Sequence, residues 1–218
     1  MSSDIYAVGD VHGCLGHLER LLDQVQPDLS RDRLVFLGDY IDRGADSKGV
    51  VDYILSLKKS HPPENIVCLK GNHEAMFLNF LAGRDLELFM FNGGLGTIEG
   101  YWGGKWRGRK LVLPPEHEEF YRDLLLLYET PDYIFVHGGL KPGLPLTAQQ
   151  EEDLLWIRGE FILSPEDFGR RVIFGHTPFP RPLVMPNKIG IDTGAVYGNH
   201  LTCLKLPEER FYHSDRGD

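Results

Sequence analysis

Apolar residues in this chain fall into short runs separated by stretches of helical periodicity. Ile5-Tyr6-Ala7-Val8 reads as a strand, and Leu15, Leu18, Leu21, Leu22 and Val25 then recur on one helical face. Leu34-Val35-Phe36-Leu37 reads as a second strand, followed by a helix through Val50, Val51, Ile54, Leu55 and Leu57. Ile66-Val67-Cys68-Leu69 is a third, followed by a helix through Ala75, Met76, Leu78 and Leu81. Strand, loop and helix repeated in this order predict α/β wiring with a parallel sheet.

The middle of the chain breaks the pattern. Between about 84 and 130 lies an expected insertion, with a Gly-rich stretch from Asn92 to Gly108 and a helix from Pro114 or Pro115 to Leu127. After Ile134-Phe135-Val136 the chain is strand-rich, with further strands expected at 172–174, 183–185, 189–191 and 201–206. Neither a repeat nor a linker is visible. The expectation is a single α/β domain over 1–218, with two sheets packed face to face and helices outside, a layout that some schemes class as α+β.

Composition narrows the function classes. Hydrophobic residues make up 42% and charged residues 25%, so a core is available and disorder is not expected. The net charge of −9 argues against broad electrostatic binding of nucleic acid. No run approaches the roughly 20 apolar residues of a membrane helix. Met1-Ser2-Ser3-Asp4 lacks a basic region and an apolar core, so no secretory leader is expected. Three cysteines, Cys14, Cys68 and Cys203, make neither a disulfide framework nor a thiolate zinc site, which suits a cytoplasmic protein.

Five expected strands end in polar and glycine clusters. Strand 5–8 runs into Gly9-Asp10-Val11-His12-Gly13, and strand 34–37 into Gly38-Asp39-Tyr40-Ile41-Asp42-Arg43-Gly44. The other three run into Lys70-Gly71-Asn72-His73-Glu74, His137-Gly138-Gly139 and Gly175-His176-Thr177. Taken singly, each is an ordinary turn. Taken in order, they gather chemistry at the carboxyl ends of strands, where α/β sheets assemble their sites. Asp10, His12, Asp39, Asn72, His137 and His176 form an oxygen and imidazole set without thiolate, suited to Mn, Fe, Zn or Mg. Six ligands exceed what one open catalytic metal needs, which points to two.

This ordered set resembles the phosphoprotein phosphatase family of calcineurin-like metallophosphoesterases, and the length resembles its compact bacterial and phage members, the serine/threonine protein phosphatases. The resemblance implies a four-layer sandwich of two mixed sheets flanked by helices, a two-metal centre, and hydrolysis of a phosphoester by direct in-line attack of a metal-activated hydroxide. It implies that Asp10, His12 and Asp39 hold one metal, and that Asp39, Asn72, His137 and His176 hold the other, with Asp39 bridging. Two divalent ions are expected, Mn²⁺ first, with Fe, Zn, Mg or Ni as alternatives. One departure is Lys70, where many protein phosphatases of the family carry arginine. Lysine offers a point charge and no bidentate fork.

His73 is expected to act as general acid to the leaving oxygen, with Asp42 orienting and charge-stabilising it. Arg43 is the expected guanidinium fork on the phosphate, joined by Asn72 and by Arg158, in Leu155-Trp156-Ile157-Arg158, which resembles a second phosphate-contacting arginine. Glu74 is expected to hydrogen-bond around the site without ligating. His17, His61, His117, His200 and His213 lack a motif and are read as structural or surface residues.

Two substrates remain open: a phosphorylated protein, and a dinucleoside polyphosphate such as diadenosine tetraphosphate. Many bacterial diadenosine tetraphosphatases carry alanine at the position of Asp42, which tilts the resemblance towards the protein phosphatase. Asp192-Thr193-Gly194 with Gly198 and Leu201 resembles both groups. The stretch Tyr101–Lys110 interleaves aromatic and basic residues, either to stack adenine or as a surface loop whose Trp residues pack on the core. A non-catalytic scaffold is disfavoured, because no ligand or acid position is missing.

Overall fold

A computed structural model describes residues 3–214. Ten strands form two five-stranded sheets. The first sheet has the order β10-β9-β1-β2-β3, from β1 (Ile5–Val8), β2 (Arg33–Phe36), β3 (Ile66–Cys68), β9 (Thr202–Leu206) and β10 (Arg210–His213). Strands β1, β2 and β3 are parallel, whereas β9 and β10 run back antiparallel. The second sheet has the order β4-β5-β6-β8-β7, from β4 (Leu127–Glu129), β5 (Tyr133–Val136), β6 (Arg171–Phe174), β7 (Leu183–Val184) and β8 (Lys188–Gly190). Here β5, β6 and β8 are parallel and the two edge strands antiparallel.

Alternation along each central strand explains the layers. Ala7, Val35 and Val67 pack against Phe135, Ile173 and Ile189 between the sheets. Their neighbours Tyr6, Val8, Leu34, Phe36, Ile66 and Cys68 face the other way, onto helices. Ile134, Val136, Val172 and Phe174 do the same on the second sheet. With both faces covered, these strands read as continuous apolar runs. The helices α1 (Leu15–Val25), α2 (Ser47–Ser60), α3 (Asn72–Leu81), α4 (Leu86–Phe91), α5 (Gly94–Trp102) and α6 (Pro115–Arg122) lie on the first sheet's side. The helices α7 (Glu151–Trp156) and α8 (Gly159–Leu163) cover the second. The result is the expected four-layer sandwich.

Local chemistry sets several boundaries. The Asp46 side chain accepts from Gly49 N (2.8 Å) and starts α2, while Lys58 and Lys59 close its last turn. Pro115 opens α6, as expected, but α6 ends at Arg122 instead of continuing to Leu127. Leu125 bridges Leu69 and residues 127–129 pair with β5, so sheet hydrogen bonds take the last part of the expected helix. Part of the Gly-rich stretch is the helix α5. Strand β10 was not expected; its Phe211 packs between the sheets and Tyr212 on the helical side. Among the described residues no helix is long and apolar enough to cross a membrane.

Candidate metal centre

Because β1, β2 and β3 are in flush parallel register, as are β5, β6 and β8, six strand ends open onto one edge of the sandwich. Asp10 and His12 follow β1; Asp39, Asp42 and Arg43 follow β2; Asn72 and His73 open α3 directly after β3. His137 follows β5 and His176 follows β6. All of these except Arg43 are buried. Among the described residues, five of the eight non-glycine residues with positive φ are His12, Asp39, Asp42, Arg43 and His176. Such backbone costs about 1–3 kcal/mol per residue and persists where surrounding structure over-determines it. Two glycines let backbone press against the carboxylates. A Cβ on Gly71 would meet Asp39 Oδ1, and one on Gly175 would meet Asp10 Oδ1, both far inside contact distance.

Glu74 ties the first sheet's loops together. Its carboxylate accepts from the backbone N–H groups of Asp39, Tyr40 and Gly71, each at 2.9 Å. Every oxygen is committed to the backbone, so Glu74 positions the site and does not ligate, as expected.

The histidines are oriented by carbonyls. His12 Nδ1 lies 2.8 Å from Ile41 O, and His137 Nδ1 lies 2.9 Å from Leu37 O. Donation from Nδ1 leaves Nε2 with a lone pair on both rings. Nε2 of His12 accepts from Arg43 Nη1 (2.7 Å) and lies 3.4 Å from Asp39 Oδ2. Nε2 of His137 lies 3.0 Å from Asn72 Oδ1 and 3.4 Å from Asp39 Oδ1. Among the described residues Nε2 of His176 is buried without a partner. Two groups have ligand atoms within 4.8 Å of one another: Asp39, His137 and His176, and His12, Asp39 and His73. Asp10 belongs to neither group; both its oxygens accept from His176 N, at 3.1 and 3.0 Å.

Burial lowers the pKa of His12 to about 3 and of His176 to about 2, and lowers that of His137, so all three imidazoles are neutral and ready to ligate. Burial, and next the charge of Asp192, pushes Asp10 well above the usual carboxylate range. Burial likewise pushes Asp192 up to about 6. Packed carboxylates of this kind, beside lone-pair nitrogens and a partnerless Nε2, suit divalent cations.

Beside this cluster, His73 Nδ1 lies 2.7 Å from Asp42 Oδ2, and both side chains are fully buried. Asp42 is held in turn by Thr97, whose hydroxyl donates to Oδ1 at 2.5 Å, while Asp42 N donates to Ser47 Oγ and Thr97 Oγ1. The His73 ring stands edge-on to His12 with centroids 4.6 Å apart, and its Nε2 is buried without a partner. Arg43 is exposed, with its guanidinium 5.8 Å from the Tyr197 ring. Arg158, also exposed, lies close enough for its charge to help depress His137 and His176. Lys70 is paired with Glu151 (3.1 Å).

Two residues at the site had no role in the sequence reading. Asp192 follows β8, and its signal was present: strand 189–191 ends in Asp192-Thr193-Gly194, the same strand-then-turn pattern as the other clusters. Thr97 carried no signal, because nothing in a Gly-rich stretch foretells a helix that reaches Asp42 from 55 residues away.

Two sheets facing each other with a divalent-metal ligand set across their carboxyl ends define a metal-dependent phosphoester hydrolase. The chain belongs to the calcineurin-like phosphoesterase family, whose sequence profile matches residues 3–208. It is 31% identical to serine/threonine-protein phosphatase 1 of Salmonella typhimurium, over 93% of this chain and 91% of the relative. It is 28% identical to the asymmetrical bis(5'-nucleosyl)-tetraphosphatase PrpE of Oceanobacillus iheyensis, over 94% and 89%. Its fold matches a Saccharomyces cerevisiae protein serine/threonine phosphatase with similarity to human phosphatase PP5 at a TM-score of 0.71, with 18% identity, over 100% of this chain and 81% of that one.

Proposed function

We propose that this chain, acting as one domain over 1–218, is a phosphomonoesterase for phosphoserine and phosphothreonine residues of proteins. The observation that carries the reading is the buried His73–Asp42 pair, 2.7 Å apart, with His73 Nε2 left free at the edge of the metal centre. An alkoxide leaving from phosphoserine is strongly basic and needs a proton. A phosphate leaving from a nucleoside polyphosphate is weakly basic and hardly needs one. A general acid with a dedicated carboxylate therefore suits a protein monoester.

Asp10, His12 and Asp39 would hold one divalent ion, and Asp39, Asn72, His137 and His176 the other. When bound, such ions polarise the phosphoryl oxygens and lower the pKa of water. Mn²⁺ is the first choice, because the donor set combines carboxylate, amide oxygen and imidazole without thiolate. The guanidinium groups of Arg43 and Arg158 bind and orient the phosphoryl oxygens, and Asn72 adds an amide contact. For Arg43 this requires leaving His12 Nε2, its partner in this structure. His73 delivers its Nε2 proton to the leaving oxygen while Asp42 keeps Nδ1 protonated and the ring aimed. Three free thiols suit a cytoplasmic setting.

A second reading, hydrolysis of dinucleoside polyphosphates, is favoured by the relative named for that activity. Comparative kcat/KM on a phosphoserine peptide, p-nitrophenyl phosphate and diadenosine tetraphosphate with Mn²⁺ tests both. A clear preference for the dinucleotide over the peptide would replace the first reading with the second.

A further inference from the structure

At the far end of α3 from the metal centre lies a groove of about 500 Å³. Phe80 and Leu81 close α3 and form one wall, Leu86 of α4 another, and Trp106, Arg109 and Lys110 a third. Trp106 stands edge-on to Phe80, with ring centroids 5.9 Å apart and planes at 75°. Its indole N–H donates to Arg109 O (2.7 Å), which fixes the ring within its own loop. Of the two readings of this stretch, packing on the core holds for Trp106 and not for the exposed Trp102, and part of the Trp106 surface still lines an open groove.

The charge around the groove is out of keeping with the rest of the chain. Lys105, Arg107, Arg109 and Lys110 place four cations within six positions of a chain whose net charge is −9. All four are exposed, and among the described residues none of their side chains makes an ion pair or hydrogen bond. Several cations elsewhere are paired, as Lys48 is with Asp52, Lys59 with Glu116 and Lys205 with Asp4. Asp85, beside Leu86, is engaged by Asn79 Nδ2 at 2.9 Å.

We propose that this groove is a nucleotide-binding site, taking a planar base against Phe80 and Trp106 and its phosphates on Arg109 and Lys110. Aromatic walls suit a planar ring, and stacking on such walls is worth about 1–3 kcal/mol per base. Unpaired guanidinium and ammonium groups at the rim suit a di- or triphosphate. The volume falls within the range of small-ligand sites, roughly 300–1,000 Å³. From His73 to Phe80 α3 rises about 10 Å, at ~1.5 Å per residue, so the groove is separate from the metal centre. Its occupancy does not depend on which ester the metal centre hydrolyses.

Calorimetric titration of ADP into the metal-loaded protein tests the site, repeated after chelation. The expected result is saturable binding that survives chelation and weakens at least tenfold in Arg109→Ala with Lys110→Ala. Activity of that double variant on p-nitrophenyl phosphate should be unchanged. Because Trp106 packs on Phe80, Trp106→Leu serves as a second variant, checked for folding by circular dichroism; it should weaken ADP and leave pyrophosphate binding as it was. Loss of ADP binding on chelation would assign it to the metal centre and overturn the proposal. So would pyrophosphate binding as tight as ADP, or an acidic peptide that binds the groove when ADP does not.

Discussion

Asp39 turns its two carboxylate oxygens in opposite directions: Oδ2 lies 3.4 Å from His12 Nε2 and Oδ1 lies 3.4 Å from His137 Nε2. One side chain thus links the histidine that follows β1 with the histidine that follows β5, across the two sheets. Asp39→Asn keeps the shape and removes the charge shared by both sides. A divalent ion in such a site supplies several kcal/mol of charge stabilisation, and each 1.36 kcal/mol is tenfold in rate. The expected outcome is a loss of about a thousandfold in kcat and reduced bound metal by elemental analysis. Chelation of the wild type should abolish hydrolysis and Mn²⁺ should restore it. An Asp39→Asn protein with full metal content and full activity would refute the bridging role.

His73→Asn should separate substrates by leaving group. On a phosphoserine peptide, kcat should fall by about 10²–10⁴-fold, the usual worth of a general acid. On p-nitrophenyl phosphate, whose leaving group is weakly basic, the loss should be far smaller. Equal losses would mean that His73 holds metal or phosphate instead, a result its proximity to His12 and Asp39 would then explain.

Thr97→Val tests the support beneath that acid. The substitution removes the donor to Asp42 Oδ1 and leaves a buried carboxylate oxygen short of a partner. The expected cost is about 1–3 kcal/mol in stability by denaturant titration. The pH profile of kcat should also change, because Thr97 holds Asp42 and Asp42 orients the His73 ring. A variant that loses stability with an unmoved profile would make Thr97 structural only.

Stability should fall on mild acidification. His117 is buried between Tyr101 and Asp52, with Nδ1 2.8 Å from Tyr101 Oη and Nε2 2.9 Å from Asp52. Burial, its largest influence, lowers its pKa in the folded state. The unfolded chain then binds the proton more readily, and stability rises with pH through this window. The contribution is complete above about 6.5, the unfolded value, and is lost as pH falls towards the folded pKa. Urea midpoints at pH 7.5 and 5.5 should differ less in His117→Gln than in the wild type. Identical differences would remove His117 from the account.

Lys188 is fully buried and, among the described residues, makes no ion pair. Its ammonium donates to Phe161 O and Ser164 O at the end of α8 and sits 4.1 Å from the Phe161 ring. Lys188→Met keeps the length and leaves both carbonyls without this donor. About 1–3 kcal/mol of stability should go, the usual cost of a buried acceptor left unsatisfied. A neutral result in thermal unfolding would show that water replaces the ammonium.

How far the sequence could be read follows from the range of each interaction. The central strands and the first three helices were legible, because period-two and period-3.6 patterns are set by local backbone geometry and by burial on both faces. The gathering of the candidate ligands was legible because each closes a strand, and the carboxyl ends of parallel strands converge whatever the rest of the fold does. Residues 123–127 read as helix but are not, since an apolar run such as Leu124–Leu127 suits either state and only pairing with Leu69 and β5 decides. The edge strand β10 is short and mixed in polarity, and it exists because β9 offers it hydrogen bonds.

By itself the sequence determined the fold class, the six metal-ligand candidates and the His73–Asp42 pairing, all carried by residues near one another along the chain or by strand ends. Only the tertiary structure decided that Asp39 faces both sides, that Glu74 spends its carboxylate on three backbone N–H groups, that Thr97 props Asp42, and that Asp192 charges the neighbourhood of Asp10. Each of these depends on where an atom points across tens of residues of chain. Side-chain direction at that range is set by packing against other elements, which no local pattern encodes.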